Sequence, residues 1–361
     1  MTHSRRSVLR RGAALAGAGT AASLAGCSGA ADGGSGRFDS GYAAFFTLND
    51  WANEVAGGNA SFEDPVDVGQ LGHGWTPDGT LAADVAATDA FVYLDSPEFS
   101  WAQDLAATLD ADYDSVAVVD VLDGLEDDLL EWDHSHGGGD GDHSDENHDG
   151  ETHDGENHDG ENHDGENHDG ENHDGENHDG GETRYDPHVW VDPVLAAEMV
   201  ETIAAGLGEA DPDNADAYAD NADAYAAELD AVDAAFESIA EGAARDVAVI
   251  AGHNSFQYLE ARYGVRFHSP VGVSPQNEPT QSEIADTIEL VDSEGIDAVL
   301  YDRFQSPRLA ESIVENSDAT EAVPVTPAGG TTREWNDAGY GYIEQMTEIN
   351  VPAFERAFGA Q

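Results

Sequence analysis

Imidazole is the side chain most ready to hold a transition metal near neutral pH, and the histidines of this chain form two populations. Ten of the fifteen crowd one acidic, glycine-rich stretch: His134, His136, His143, His148, His153, His158, His163, His168, His173 and His178. The other five are His3, His73, His188, His253 and His268. His73 lies in Gly72-His73-Gly74-Trp75-Thr76-Pro77, directly after a candidate strand at Val66-Asp67-Val68. His188 lies in Asp186-Pro187-His188-Val189-Trp190, ahead of a helical stretch. His253 lies in Gly252-His253-Asn254-Ser255, at the carboxyl end of the candidate strand Val249-Ile250-Ala251. Loops at the carboxyl edge of parallel strands are where α/β folds bind ligands. One neutral nitrogen from each loop makes a three-nitrogen site, which suits zinc at about 2.0–2.1 Å. Manganese favours carboxylate and water oxygen and is the alternative metal. His268, in Arg266-Phe267-His268-Ser269-Pro270, has no comparable setting and reads as structural.

The crowded histidines belong to a five-residue repeat. From Glu146 the chain runs ENHDG, ETHDG and then ENHDG five more times to Gly180. Five residues match neither a helical nor a strand period, and the segment has no apolar side chains to bury. Residues 133–182 are therefore expected to be a disordered insertion in a folded body, offering many weak, exposed metal sites. Metal binding there is expected to fade as pH falls through the reference histidine pKa of about 6.5.

The rest of the chain must position the three isolated histidines. Before the repeat, strand patterns at Tyr42–Leu48, Asp64–Val68, Ala90–Leu94 and Val116–Val121 alternate with helical ones at Thr80–Thr88 and Glu98–Leu109. After it, Pro193–Gly206 and residues from Pro212 to about Ala244 are alanine-rich and helical. The second stretch is long enough to span about 45 Å. Alternation then resumes, with strands at Asp246–Ala251, Ala298–Tyr301 and Val323–Val325. Helices are expected at Phe256–Tyr263, Ser282–Glu294, Arg308–Asn316 and Tyr340–Phe358. Repeated strand–helix–strand units predict an α/β protein of two lobes, each a mostly parallel sheet flanked by helices. One long helix would join them, with a metal cleft between. The expected divisions are a lobe at 40–210, a linking helix at 211–244 and a second lobe at 245–361.

Composition limits the partners. Seventy-five acidic residues face thirteen basic ones, a formal net charge of −62, and every basic residue is arginine. Nineteen acids lie in the repeat region, so the acidity is spread over the whole chain. Such a field repels nucleic acid and strains a compact fold in dilute buffer, whereas molar salt screens it within about 3 Å. The surface suits a salt-rich habitat. At the N-terminus, Ser4-Arg5-Arg6-Ser7-Val8-Leu9 and the small, apolar run Gly12–Ala25 resemble a twin-arginine export signal. Leu24-Ala25-Gly26-Cys27 resembles a lipobox, in which Cys27, the single cysteine, becomes the lipidated N-terminus. Residues 1–26 are then a leader and 27–39 a tether, placing the body at the cell surface on the outer face of the membrane.

The motifs Asp186-Pro187-His188-Val189-Trp190-Val191-Asp192-Pro193 and Gly252-His253-Asn254-Ser255-Phe256-Gln257-Tyr258-Leu259 resemble those of the zinc- and manganese-specific solute-binding proteins of ABC importers. So do Gly272-Val273-Ser274 with Glu278-Pro279-Thr280, and Phe304-Gln305-Ser306-Pro307. The resemblance implies two α/β lobes joined by a rigid helix and a metal held by His73, His188 and His253. A histidine-rich loop ahead of the second ligand is typical of its zinc-selective branch. It also implies a fourth position filled by solvent or by a late carboxylate, for which Glu334 and Asp337 are the candidates. The expected partners are the permease and ATPase of a metal importer, with the chain a monomer anchored through Cys27. Two other readings use the same residues. A surface metal buffer or adhesin would rely mainly on the repeat and involve no permease. A secreted zinc hydrolase would need a general base beside a metal-bound water, and the chain has no HExxH motif to supply one, so no enzyme activity is expected.

Overall fold

The computed structural model describes residues 38–131, 185–272 and 278–360. The leader, Cys27, the ten repeat histidines and Val273-Ser274 lie outside the described residues.

The first half builds a parallel sheet from β1 (Ser40–Ala43), β2 (Ser61–Glu63), β3 (Ala90–Tyr93) and β4 (Ala117–Asp120), in the order β2-β1-β3-β4. Its helices are α1 (Phe46–Ala56), α2 (Leu81–Val85) and α3 (Ser100–Asp112). α4 (Pro193–Ala210) then packs on β4 and α1, and α5 (Ala215–Gly242) follows. The second half repeats the topology with β5 (Val247–Ile250), β6 (Arg266–His268), β7 (Ala298–Asp302) and β8 (Glu321–Val325), all parallel, ordered β6-β5-β7-β8. Around it lie α6 (Gln257–Tyr263), α7 (Gln281–Glu294), α8 (Arg308–Glu315), α9 (Arg333–Ala338), α10 (Tyr342–Glu344) and α11 (Val351–Phe358). Two parallel-sheet α/β lobes flanked by helices are thus present. All four residues of β5 are buried, as expected of a strand covered on both faces.

α5 touches α1 and α4 of the first half and α6, α10 and α11 of the second. One apolar core runs from Phe45 and Trp51 through Leu229 and Phe236 to Phe354 and Phe358. Helix starts are fixed by side chains. Asp192 Oδ1 accepts from Val194 N and Leu195 N ahead of Pro193, and Thr280 with Glu283 forms a capping box on α7. No helix among the described residues is long and apolar enough to cross a membrane.

Three local expectations are corrected. The strand expected at Tyr42–Leu48 ends at Ala43. From Phe46 the buried positions Leu48, Trp51, Ala52 and Val55 follow a helical period, and α1 forms. The strand expected at Asp64–Val68 is a turn, in which Asp64 Oδ1 accepts from Val66 N around Pro65; the strand lies just before it, at Ser61–Glu63. The closing helix expected at Tyr340–Phe358 runs without a gap from Tyr342 to Phe358, but widens into a π turn at Gln345–Asn350 between α10 and α11. Pro352 lacks the N–H that would continue the ladder, and the fully buried Asn350 instead bonds both N and O of Thr326.

Candidate metal centre

Three loops bring His73, His188 and His253 together. His73 sits in the loop between β2 and α2. Gly72 lets that loop lie flat on a stacked pair of rings, because a Cβ there would come within 2.5 Å of Phe45 Cβ and 3.0 Å of Phe99 Cε1. His188 opens a single 3₁₀ turn (His188–Val191) that leads into α4, and His253 follows β5. Ring centroids lie 6.1 Å apart for His73–His188, 6.1 Å for His73–His253 and 5.6 Å for His188–His253. One ligand atom from each lies within 4.8 Å of the others. Tetrahedral zinc at about 2.0–2.1 Å needs nitrogens about 3.4 Å apart, so small side-chain rotations suffice and the donor set fits.

The nitrogens are prepared for a cation. Nε2 of His73 and Nε2 of His188 are buried without a hydrogen-bond partner among the described residues. Asp186 Oδ1 lies 2.7 Å from His188 Nδ1 and accepts from His188 N at 3.0 Å, which puts the ring proton on Nδ1 and leaves Nε2 a lone pair. Such a carboxylate–histidine pair orients a metal ligand and raises its basicity. Asp186 is itself held by Tyr258, whose hydroxyl donates to Asp186 O at 2.8 Å and accepts from Leu130 N. Burial, with His188 alongside, pushes His73 down to about 4. Burial, with His188 and His73 alongside, drives His253 well below the usual histidine value. Both rings therefore stay neutral, as metal ligation requires. Asp302, at the end of β7, is raised to about 6 by burial, against bonds from Phe304 N and Gln305 and the nearby His188.

Contacts from both lobes close around the centre. Trp190 packs on His188, Phe45 and Phe99, and its Nε1 donates to Pro327 O at 2.7 Å. Gly69 N donates to Thr331 O at 2.8 Å. A Cβ on Gly330 would lie 2.3 Å from Gln70 O, so only glycine lets the 326–332 loop pass that close to the loop carrying His73.

Glu334 and Asp337 are exposed on α9 and are not part of the three-histidine group. His268 bonds Thr287 Oγ1 through Nε2, as a structural histidine does. The flanks of the repeat meet: Glu131 and Tyr185 pair in an antiparallel bridge, and Asp186 N donates to Leu130 O. Sequence reading passed over Ser255 and Gln305, which bond the two ring nitrogens of His253, and Asp302, which bonds Gln305. Ser255 and Gln305 lay in plain view inside the quoted motifs; their convergence on one ring did not.

The family model described as "ZnuA: Zinc-uptake complex component A periplasmic" matches residues 42–357. The zinc-binding lipoprotein AdcA of Streptococcus pneumoniae serotype 4 is 27% identical over 314 residues, 86% of this chain and 54% of that protein. The high-affinity zinc uptake system protein ZnuA of Bacillus subtilis is 30% identical over 163 residues, 45% of this chain and 50% of that protein. The chain spans about half the length of these curated relatives. Among solved structures, the Zn(II)-bound ZnuA-like domain of Streptococcus pneumoniae AdcA matches with a TM-score of 0.64 at 24% identity, over 90% of this chain and 99% of that one. The metal-dependent lipoprotein YcdH of Bacillus subtilis matches with a TM-score of 0.66 at 19% identity, over 89% and 99%. At such identities the structural likeness speaks for the fold.

Proposed function

The chain belongs to the ZnuA family of zinc-uptake components, and on that footing we propose that it captures zinc outside the cell and hands it to an ABC permease and its ATPase. The observation that carries this reading is the convergence of His73, His188 and His253 to within 4.8 Å, two of them with orphaned buried Nε2 atoms. Three imidazoles without a carboxylate in the group favour zinc over manganese. Solvent completes the coordination. The chain binds its cargo and does no chemistry on it.

In this reading residues 1–26 are an export leader and Cys27 carries the lipid anchor at the cell surface. Residues 27–39 are a tether, 40–210 and 245–361 the lobes, and 211–244 the link. The repeat histidines gather zinc at low affinity as an accessory to the centre; the described chain resumes at Tyr185, three residues before His188. Uptake of radioactive zinc at low external concentration tests the proposal. Cells lacking the gene should lose high-affinity uptake, regain it with the wild-type chain or one without 133–182, and not regain it with His188→Ala. Equal rescue by His188→Ala would show that the cleft carries no cargo.

A further inference from the structure

His253 differs from its two companions. His73 and His188 each present a free Nε2, whereas both ring nitrogens of His253 are occupied. Its Nε2 lies 2.8 Å from Ser255 Oγ, and its Nδ1 lies 2.9 Å from the side-chain nitrogen of Gln305. That amide nitrogen also lies 3.3 Å from Asp302 Oδ2. A carboxylate oxygen only accepts, so the amide edge turned toward it donates, to Asp302 and to His253 Nδ1 alike. An accepting Nδ1 leaves the ring proton on Nε2, where Ser255 Oγ receives it. In this tautomer the nitrogen that matches the free atoms of His73 and His188 holds a hydrogen and offers no lone pair. The two ends of the ring also differ in setting. The Gln305 amide sits at the base of the loop, with its oxygen 3.7 Å from where a Cβ on Gly252 would be. Ser255 touches the outer end of the ring.

We propose that Ser255 caps the metal-binding nitrogen of His253, and that Gln305, steadied by Asp302, selects the ring's tautomer, so that this pair sets zinc affinity. The inference rests on the three-histidine reading of the cleft. On zinc entry the Nε2 proton leaves to water and Nδ1 takes one up, with no net proton change. The Gln305 amide turns over, giving up its bond to Asp302 Oδ2, so that its oxygen accepts from Nδ1–H, as the outer partner of a ligating histidine does. The Ser255 hydroxyl rotates away, and the Nε2 lone pair passes to the metal. Ser255 is two residues from the ligand and moves only a hydroxyl. Gln305 comes from the loop after β7, and its reach across 52 residues makes it the anchor of the ring.

The test is nitrogen-15 NMR of the imidazoles in the full chain, zinc-free and zinc-loaded, with the His253 signal assigned by its loss in His253→Gln. It is paired with zinc affinity of Ser255→Ala, measured by chelator competition. The zinc-free ring should carry its proton on Nε2 and the loaded ring on Nδ1. Ser255→Ala, which removes the cap, should bind zinc about three- to tenfold more tightly, the worth of one hydrogen bond. A zinc-free ring already protonated at Nδ1, or looser binding in Ser255→Ala, would overturn the proposal. Wild-type NMR decides the point even if that variant folds poorly. Failure of the three-histidine reading looks different: His188→Ala would then leave zinc affinity unchanged, whichever tautomer His253 adopts.

Discussion

Replacing Asp186 with asparagine removes the charge behind His188 while keeping the geometry. Oδ1 receives both donors, His188 Nδ1 and His188 N, and Oδ2 is buried without a partner among the described residues. An asparagine oxygen can stand at Oδ1 and keep both bonds, while its NH₂ takes the place of Oδ2 and finds no acceptor. That stranded donor costs about 1–3 kcal/mol of stability, equally with and without zinc, and so cancels from the affinity. What does not cancel is the response of the ring. Zinc on Nε2 draws electrons from the imidazole and sharpens Nδ1–H as a donor, and a carboxylate answers about twice as strongly as a neutral amide. Changes of this kind loosen metal sites by about 10- to 100-fold, or about 1.4–2.8 kcal/mol. Chelator competition in molar salt reads the affinity, and denaturant unfolding of the zinc-free protein reads the stability. A dissociation constant within twofold of wild type, in a protein that has lost the expected stability, would refute the claim that Asp186 acts through His188.

Asp50 offers a pH test at the joint of the lobes. Its Oδ2 accepts from Tyr342 N at 2.9 Å and Tyr225 OH at 3.2 Å, and burial raises it from 3.8 to about 6 despite those bonds. Because the folded pKa is the higher one, the stability it contributes is fully present below about 3.8 and is lost as pH rises through about 6, amounting to about 3 kcal/mol at most. Asp50→Asn keeps the acceptor and removes the charge. Unfolding free energy at pH 7 and fixed salt should rise by about 1–2 kcal/mol, and its slope between pH 4 and 6 should flatten; an unchanged slope would contradict the assignment. Gly72→Ala drives a methyl into Phe45 and Phe99. It should cost about 1–3 kcal/mol in denaturant unfolding and weaken zinc through the displaced His73, whereas wild-type stability would mean that the loop has slack.

Legibility in the sequence followed burial. The strands Ala90–Tyr93, Val247–Ile250 and Ala298–Asp302 lie inside their sheets and read as short apolar runs bounded by polar residues, and the edge strand Ala117–Asp120 reads the same way through its Ala-Val-Val run. The edge strands Ser61–Glu63 and Arg266–His268 bury a single phenylalanine each and carry almost no pattern. α9 buries only Trp335 and was equally faint. The run Ala43–Leu48 is apolar throughout its first half, and such short runs do not separate strand from helix. The π turn depends on Pro352 together with buried Gln345 and Asn350, polar residues whose partners Gly330 and Thr326 are distant in the chain. At the candidate metal centre, His188 opens a 3₁₀ turn and His253 follows β5, whereas His73 lies in an irregular loop between β2 and α2, and the strand expected just before it is a turn. The groups that tune them are tertiary: Tyr258 reaches Asp186 across 72 residues, and Gln305 reaches His253 across 52.

The central claim is that one cleft site built from three histidines holds the cargo, with the repeat as an accessory. Zinc stoichiometry and affinity in molar salt test it most directly. The comparison is the mature chain with and without residues 133–182, each carrying alanine in turn at His73, His188 and His253. The account predicts that the protein without the repeat retains one tight zinc, that manganese does not displace it, and that any single alanine abolishes it. Loss of all tight zinc on deleting the repeat, or tight binding that survives the alanines, would contradict it.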